Sequence, residues 1–213
     1  MGLYGDSHIA MWFKALDEIA IRSHWKLVLL SKGACPAGFV STFRTTAGVG
    51  WRACNQWRRS AIARINRIDP ALLLISQAFV RWPNTVSPSP ALWGRGVNEL
   101  LSAIHAPRAQ KVFIGTIPSV YGPVCLYQHM SHVQSCSVSP RSRLTPYSQA
   151  ESQAAQASGA RYIDVTPWFC ARRCSGIIGD YDVYFNEGHV ALPYTRFLEG
   201  VLADAIGLQP HRS

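Results

Sequence analysis

The sequence predicts an α/β fold, a three-layer α/β/α sandwich around a mostly parallel, five-stranded sheet. Short apolar runs alternate with longer amphipathic segments along the chain, which favours parallel strands joined by helices on both faces. The chain has 213 residues, 48% of them hydrophobic and 15% charged, and this suits one domain with a sizeable core. No internal repeat or domain linker is visible.

Four internal apolar runs predict strands, and a fifth strand opens the chain before Gly5. Each run is short and ends in a small or polar residue, which is typical of strands buried on both faces. Only Met1–Tyr4 precede Gly5, so we expect a truncated first strand and a chain that is the C-terminal part of a longer protein. The internal strands are predicted at Lys26–Ser31, Ala71–Ser76, Lys111–Thr116 and Arg161–Val165.

Amphipathic segments between these runs predict helices, and short connections make each crossover right-handed. Two stretches are predicted as loops: Asn84–Pro90, rich in Pro and Ser, and Tyr121–Arg143, which carries two cysteines and two histidines. The helices are predicted at Met11–Arg22, Arg52–Arg67, Leu92–Ala106, Leu144–Ser158 and Leu192–Ile206.

The formal net charge is +9, and the densest basic set lies on one predicted helix. A nucleic-acid interface would need a basic stripe with interleaved aromatic residues, and aromatics meet arginines only near residues 51–59. We therefore interpret the set as a solvated helix face, with weak attraction to anionic surfaces as an alternative, and expect no nucleic-acid partner. The set is Arg52, Arg58, Arg59, Arg64 and Arg67.

Six cysteines fall as three local pairs along the chain. Sequence alone does not determine their connectivity. Metal binding is the competing interpretation, but the spacing contains no Cys-x-x-Cys, so we favour disulfides and expect no metal or cofactor. Disulfides persist in oxidising compartments, which indicates a domain outside the cytoplasm. No apolar run of about 20 residues and no signal peptide are visible, so we expect export with an upstream membrane domain missing from this chain.

The stretch Gly5-Asp6-Ser7 stands where the first strand ends and the first helix begins. Open α/β sheets bind ligands at the carboxyl ends of their strands, so Ser7 lies where a reacting group is expected. A helix N-terminus offers backbone N–H groups that stabilise a developing oxyanion. Ser7 is therefore a candidate nucleophile, and it needs a histidine as base.

Of seven histidines, His189 is the best candidate base. It lies beyond the last predicted strand and just before the last helix, at the sheet edge expected for Ser7. His129 and His132 lie in the long cysteine-bearing loop, where they line a substrate cleft or belong to a polar loop. We expect His8 to point away from Ser7, and His24, His105 and His211 to be surface residues.

These motifs resemble the SGNH (GDSL-like) hydrolases, whose first and fifth blocks match GDSH and NEGH here. The closer similarity is to the SGNH domain at the C-terminal side of membrane acyltransferase family three proteins. It covers nearly the whole chain and implies a single SGNH-type domain over residues 1–213 with a flavodoxin-like sheet. The matching segments are SKGACP, CNQWRRSAIARINRIDPALLLIS, VCLYQHM with the later SC, and DVTPWFCARRCSGIIGDYDVYFNEGHV. The resemblance also implies the disulfides Cys35–Cys54, Cys125–Cys136 and Cys170–Cys174.

The resemblance implies a serine-dependent O-acyltransferase or esterase acting on a cell-envelope glycan. In such proteins a membrane acyltransferase domain delivers the acyl group, of which acetyl is the one expected, and a carbohydrate accepts it outside the membrane. Ser7 would carry the acyl group and His189 would be the base. The backbone N–H groups of Ser7 and Gly33 would form the oxyanion hole.

Two positions depart from the family pattern. Asn186 stands where Asp is expected, and in the serine-protease template that exchange costs roughly four orders of magnitude in rate. Gln77 stands near the position of an oxyanion-hole Asn, and it either donates to the oxyanion or is a hydrogen-bonded polar residue at a strand end. A catalytically impaired module that binds glycan or an acyltransferase partner is therefore the alternative function. Carboxylates that would compensate for Asn186 are Glu187, Asp180, Asp182 and Asp164.

Overall fold

The computed structural model describes residues 1–40, 49–79, 87–140, 145–186 and 188–208. Contacts divide the chain into two compact units whose segments interleave along the sequence. The first unit is Met1–Ala10, Leu27–Gly115 and Thr145–Ile163. The second is Met11–Lys26, Thr116–Leu144 and Asp164–Ser213.

The first unit contains a five-stranded parallel sheet, which confirms the predicted fold class. The strand order is β2-β1-β3-β4-β5, so the chain adds β2 on one side of β1 and the later strands on the other. Gly5, the last residue of β1, lies opposite Ser31 of β2 and Ser76 of β3. The strands are β1 Gly2–Gly5, β2 Val28–Ser31, β3 Leu72–Ser76, β4 Gln110–Ile114 and β5 Arg161–Ile163.

Burial differs between the centre and the edge of this sheet. All five residues of β3 are buried, as predicted for a strand covered on both faces. The same prediction is wrong for β2, whose residues are half-buried or exposed. Among the described strands β2 pairs with β1 alone, so it lies at the edge of the sheet, and its apolar composition does not indicate that position.

Eight α-helices lie within the described residues; three of them lie wholly in the first unit, and all but the last residue of α1 belongs to it as well. There, α3, α4 and α6 share one buried apolar cluster with the sheet, including Ile65, Val97 and Phe113. Ser89 caps the start of α4, where its Oγ accepts the Leu92 N–H at 3.2 Å. The helices are α1 Ser7–Met11, α2 Phe13–Arg22, α3 Val49–Ile68, α4 Pro90–Ala103, α5 Pro123–Gln128, α6 Thr145–Ala157, α7 Leu192–Phe197 and α8 Glu199–Ile206.

Arg58 does not belong to a solvated helix face, so the interpretation of the arginine set is wrong at this position. Its side chain is fully buried, whereas the other four arginines of the set are exposed. Its Nε donates to the Pro36 carbonyl and its Nη1 to Asn55 Oδ1, both at 2.8 Å. Burial lowers the pKa of Arg58 to about 10. Arg58 therefore stays charged and fastens α3 to the segment that follows β2.

The second unit contains α2, α5, α7, α8 and two small antiparallel pairs. Strand β6, Ile177–Ile178, pairs with β7, Tyr181–Asp182, and β8, Tyr184–Asn186, pairs with β9, His189–Val190. These strands are too short for hydrophobic periodicity to predict them. The predicted loop Tyr121–Arg143 in fact contains α5, and the predicted final helix is divided at Leu198 into α7 and α8.

All three expected cysteine pairs are joined as disulfides. Cys35–Cys54 links the segment after β2 to α3, and Cys125–Cys136 links α5 to a 3-10 turn at Val133–Cys136. Cys170–Cys174 closes a short turn. Among the helices of the described residues, none has the length and apolar character needed to span a bilayer.

Candidate active site

Gly5 ends β1 with a backbone conformation that favours glycine. Its φ is +157°, and a Cβ at this position would lie 1.9 Å from the Ser76 carbonyl oxygen. Because Gly5 has no side chain, the end of β1 can pass close to the backbone of β3 at Ser76. The next residues turn directly into α1, which begins at Ser7.

Asp6 holds this turn in place through a buried carboxylate. Its Oδ1 accepts the His8 N–H and its Oδ2 accepts the Ala78 N–H, both at 2.8 Å. Burial raises the pKa of Asp6 to about 6, while these N–H groups and the charge of Arg58 act in the opposite direction. Asp6 is a site residue that the sequence did not predict, and only its place in the GDSH motif could have suggested a role for it. The carboxylate fixes the start of α1 relative to the residue that follows Gln77.

Gly33 lies in the turn that follows β2, near the same edge of the sheet as Ser7. Gly5 and Ser31 are partners in the parallel register. Ser7 lies two residues after Gly5, and Gly33 lies two residues after Ser31. The Lys32 N–H donates to the Gly5 carbonyl at 3.1 Å, and the Cys35 N–H closes the turn onto Lys32 at 3.2 Å. The oxyanion-hole role of Ser7 and Gly33 stays a prediction, for which this register is suitable.

Gln77 is buried and used inside the first unit. Its Oε1 accepts the Gly38 N–H at 2.8 Å, and its Nε2 donates to Glu151 Oε1 at 3.0 Å. The same Glu151 oxygen accepts Trp93 Nε1–H at 2.8 Å. This arrangement favours the structural role over the oxyanion role, and we leave Gln77 out of the proposed oxyanion hole.

His189 and Asn186 form a hydrogen-bonded pair in the second unit. Asn186 Oδ1 lies 2.9 Å from His189 Nδ1 and also accepts the Gly188 N–H at 2.9 Å. An N–H can donate only to the amide oxygen, so Gly188 fixes which end of the Asn186 amide faces the imidazole. Nδ1 must then carry the proton of neutral His189. Nε2 is left as the basic nitrogen, which is the tautomer that a general base requires.

Activity is expected to depend on the neutral form of His189. Partial burial lowers its pKa from the ordinary value, since desolvation disfavours the imidazolium. The imidazole therefore stays a base at lower pH than a free histidine, and protonation removes activity only below that pH. Ester hydrolysis measured against pH should give an ascending limb in kcat/KM with a midpoint below about 6.5. A midpoint above that value would contradict this assignment of the base.

The remaining candidates are placed as follows. His129 lines a cavity of the second unit, and its Nδ1 donates to the Cys125 carbonyl at 2.9 Å, whereas His132 is exposed and not among the lining residues. Asp164 accepts the Thr166 N–H at 2.9 Å. His8 is buried in α1, while the side chains of His24, His105, Asp180 and Asp182 are exposed. His211 and Glu187 lie outside the described residues.

Within the part of the chain that the structure describes, one group of side chains has metal-ligand chemistry. The ligand atoms of Cys125, His129 and Cys136 lie within 4.8 Å of one another. Both sulfurs are joined in a disulfide and cannot ligate as thiolates. Of the three residues, Cys125 and His129 line the cavity described above, whose wall also includes Asn186.

Residues 1–204 match the family model described as the SGNH domain fused to AT3 domains. The chain belongs to this SGNH family. Of the two candidate catalytic residues, Ser7 lies in the first unit and His189 in the second. Among curated protein sequences, none matches this SGNH domain significantly.

Solved structures that share this fold include three with TM-scores above 0.5. The periplasmic domain of a lipopolysaccharide acetyltransferase from Salmonella ser. Paratyphi A has a TM-score of 0.75 and 20% identity, over 97% of this chain and 82% of that chain. A putative SGNH hydrolase from Slackia heliotrinireducens has a TM-score of 0.57 and 20% identity, over 97% of each chain. A lipase/acylhydrolase from Enterococcus faecalis has a TM-score of 0.54 and 13% identity, over 100% and 98%. At these identities the similarity establishes the fold of the SGNH domain alone.

Proposed function

We propose that this SGNH domain transfers an acyl group, acetyl in the first instance, to a carbohydrate hydroxyl, with Ser7 as nucleophile. The observation that carries the proposal is the Asn186–His189 pair, because the Gly188 N–H orients the Asn186 amide so that Nδ1 of His189 carries the proton and Nε2 is the basic nitrogen. Family membership and the buried Asp6 turn before Ser7 support it. Hydrolysis of the same ester is the outcome when water replaces the sugar.

The reaction proceeds in two steps that conserve the proton. Ser7 Oγ attacks the acyl carbonyl while His189 Nε2 takes the hydroxyl proton and passes it to the leaving group. The acceptor hydroxyl then attacks the acyl carbon and loses its proton to His189, which passes that proton to Ser7 Oγ as the bond between the acyl carbon and Oγ breaks. Backbone N–H groups of Ser7 and Gly33 would stabilise the oxyanion in each step.

We place this domain on the extracytoplasmic face of the cell membrane. Three disulfides favour an oxidising compartment, and the Salmonella structure of the same fold is a periplasmic domain. The family is defined by fusion to AT3 domains, so a membrane acyltransferase would be the donor of the acyl group. Residues 1–213 would then be one functional domain of a longer acyltransferase.

A second candidate function is binding of a glycan or an acyltransferase partner without catalysis. The observation that favours it is the neutral amide of Asn186, which cannot stabilise an imidazolium by charge. Both candidates share the fold and the compartment, and they differ in whether Ser7 is activated.

Labelling with a fluorophosphonate separates the two candidates. The oxidised protein should form an adduct on Ser7 that mass spectrometry locates, and the Ser7→Ala variant should form none. His189→Ala should label at least about a hundredfold more slowly, whereas His132→Ala, an exposed histidine outside the cavity wall, should label like the native chain. Circular dichroism verifies that each variant is folded. A folded chain that does not label would reject catalysis in favour of the binding module.

A further inference from the structure

The second unit contains a concave surface next to the Asn186–His189 pair. We name it the acceptor cavity: it has a volume of about 920 Å³ and lies between α5 with its disulfide and strand β8. Asn186 is one of its lining residues and also holds His189 through Oδ1. A molecule in the acceptor cavity would therefore lie beside the proposed base.

The lining of the acceptor cavity combines aromatic rings with uncharged polar groups. Tyr121 and Phe185 line it although 58% and 74% of their respective surfaces are exposed to solvent. Large apolar side chains exposed together mark binding surfaces more often than solitary ones do. Gln128, His129 and Ser135 add an amide, an imidazole and a hydroxyl to the same wall. None of the described lining residues is Asp, Glu, Lys or Arg.

We propose that the acceptor cavity binds a neutral sugar ring of the acceptor glycan, with Tyr121 and Phe185 as stacking platforms. This inference rests on the proposed function and adds to it the place and the charge class of the acceptor. A pyranose has an apolar C–H face and a rim of hydroxyls, which matches aromatic faces together with neutral hydrogen-bonding groups. Ligand cavities commonly measure about 300–1,000 Å³, enough for one or more sugar rings.

The absence of charge in the described lining decides between neutral and anionic acceptors. Phosphate and carboxylate ligands are recognised by Arg or Lys in most sites, and this lining has neither. A membrane surface is the alternative occupant, since Val124, Tyr127 and Met130 are also exposed on and after α5. Membrane-surface helices combine such residues with basic ones, and the sequence from 121 to 135 contains no Lys or Arg. The sugar is therefore favoured over the lipid surface.

Saturation-transfer NMR with four methyl glycosides, those of glucose, galactose, mannose and rhamnose, tests the cavity directly. At least one should bind the oxidised chain, and Phe185→Ala and Tyr121→Ala should each weaken it about tenfold or more. Tyr127→Ala is the matched control, because Tyr127 is 75% exposed, about as much as Phe185, and lies on α5 but is not among the lining residues. The methyl glycoside of glucuronic acid should bind no better than that of glucose.

Acyl transfer supplies the second readout. With 4-nitrophenyl acetate as donor, the acetyl group moves from Ser7 Oγ to a sugar hydroxyl, and the hydroxyl proton returns to Ser7 through His189. Phe185→Ala should lower the ratio of acetylated glycoside to free acetate about tenfold, and Tyr127→Ala should leave that ratio unchanged.

The outcomes separate this inference from the proposed function. Failure of all four glycosides to bind, or equal loss in Tyr127→Ala and Phe185→Ala, overturns the sugar site. The native chain should not sediment with phosphatidylglycerol vesicles. Sedimentation that both Tyr127→Ala and Phe185→Ala abolish would overturn the sugar site in favour of a membrane surface. Sugar binding without fluorophosphonate labelling of Ser7 would reject catalysis alone, and labelling without sugar binding would reject the acceptor cavity alone.

Discussion

Exchange of Asn186 for Asp is expected to accelerate acylation of Ser7 about a hundredfold. In the serine-protease template the reverse exchange costs roughly four orders of magnitude, partly because the amide imposes the wrong tautomer. Here the Gly188 N–H already orients the amide oxygen toward His189, so the tautomer is correct and only the charge is missing. A carboxylate at this position would keep both hydrogen bonds and would stabilise the imidazolium.

The rate constant for fluorophosphonate labelling measures this gain, together with hydrolysis of 4-nitrophenyl acetate. Asn186→Leu is the matched control, since it keeps the side-chain size but removes the acceptor, and it should slow labelling about a hundredfold. Asn186→Asp should also raise the midpoint of the pH profile, because a neighbouring negative charge raises the pKa of His189. An Asp variant no faster than the native chain would mean that Asn186 does not support the base.

Replacement of Arg58 by Met is expected to lower the free energy of unfolding by about 2–4 kcal/mol. The substitution keeps an unbranched side chain but leaves the buried Pro36 carbonyl without its donor, at 2.8 Å in the native chain. It also removes the positive charge that restrains the pKa of buried Asp6. We expect the substitution to disturb the candidate active site as well, because Asp6 fixes the turn before Ser7.

Urea denaturation of the oxidised protein measures the change in stability. Arg59→Met is the matched control: Arg59 is the next residue of α3 but is exposed, and its exchange should change stability by less than about 0.5 kcal/mol. Equal stabilities for the two variants would show that the buried guanidinium contributes nothing to the fold. Labelling of Ser7 in both variants reports whether the loss of stability reaches the nucleophile.

The central strands were predictable because a strand that is buried on both faces consists almost entirely of apolar residues. LLLIS of β3 is such a run, and all of it is buried. Arg58 could also have been predicted, since it lies four residues after Cys54 and four before Ile62, both on the buried face of α3. The net charge of the helix obscured this spacing. The exposure of β2 could not be predicted, because edge position depends on how distant strands pair.

The candidate site was predictable only as far as its motifs extend. GDSH and NEGH identified Ser7, His189 and Asn186, because these residues occur in fixed local patterns. The orientation of the Asn186 amide could not be predicted, because it depends on a hydrogen bond from the Gly188 N–H that no residue pattern indicates. The acceptor cavity depends on α5 forming inside a segment rich in loop residues, where a short helix with proline at its start gives little periodic signal.

The three disulfides also bear on how the protein acquires its fold. Each of the three disulfides joins two cysteines that are consecutive along the chain, over separations of 19, 11 and 4 residues. A chain oxidised from its N-terminus while it emerges into an oxidising compartment thus meets the correct partner first each time. No bond has to wait for a distant segment, and no wrong pair has to be reshuffled.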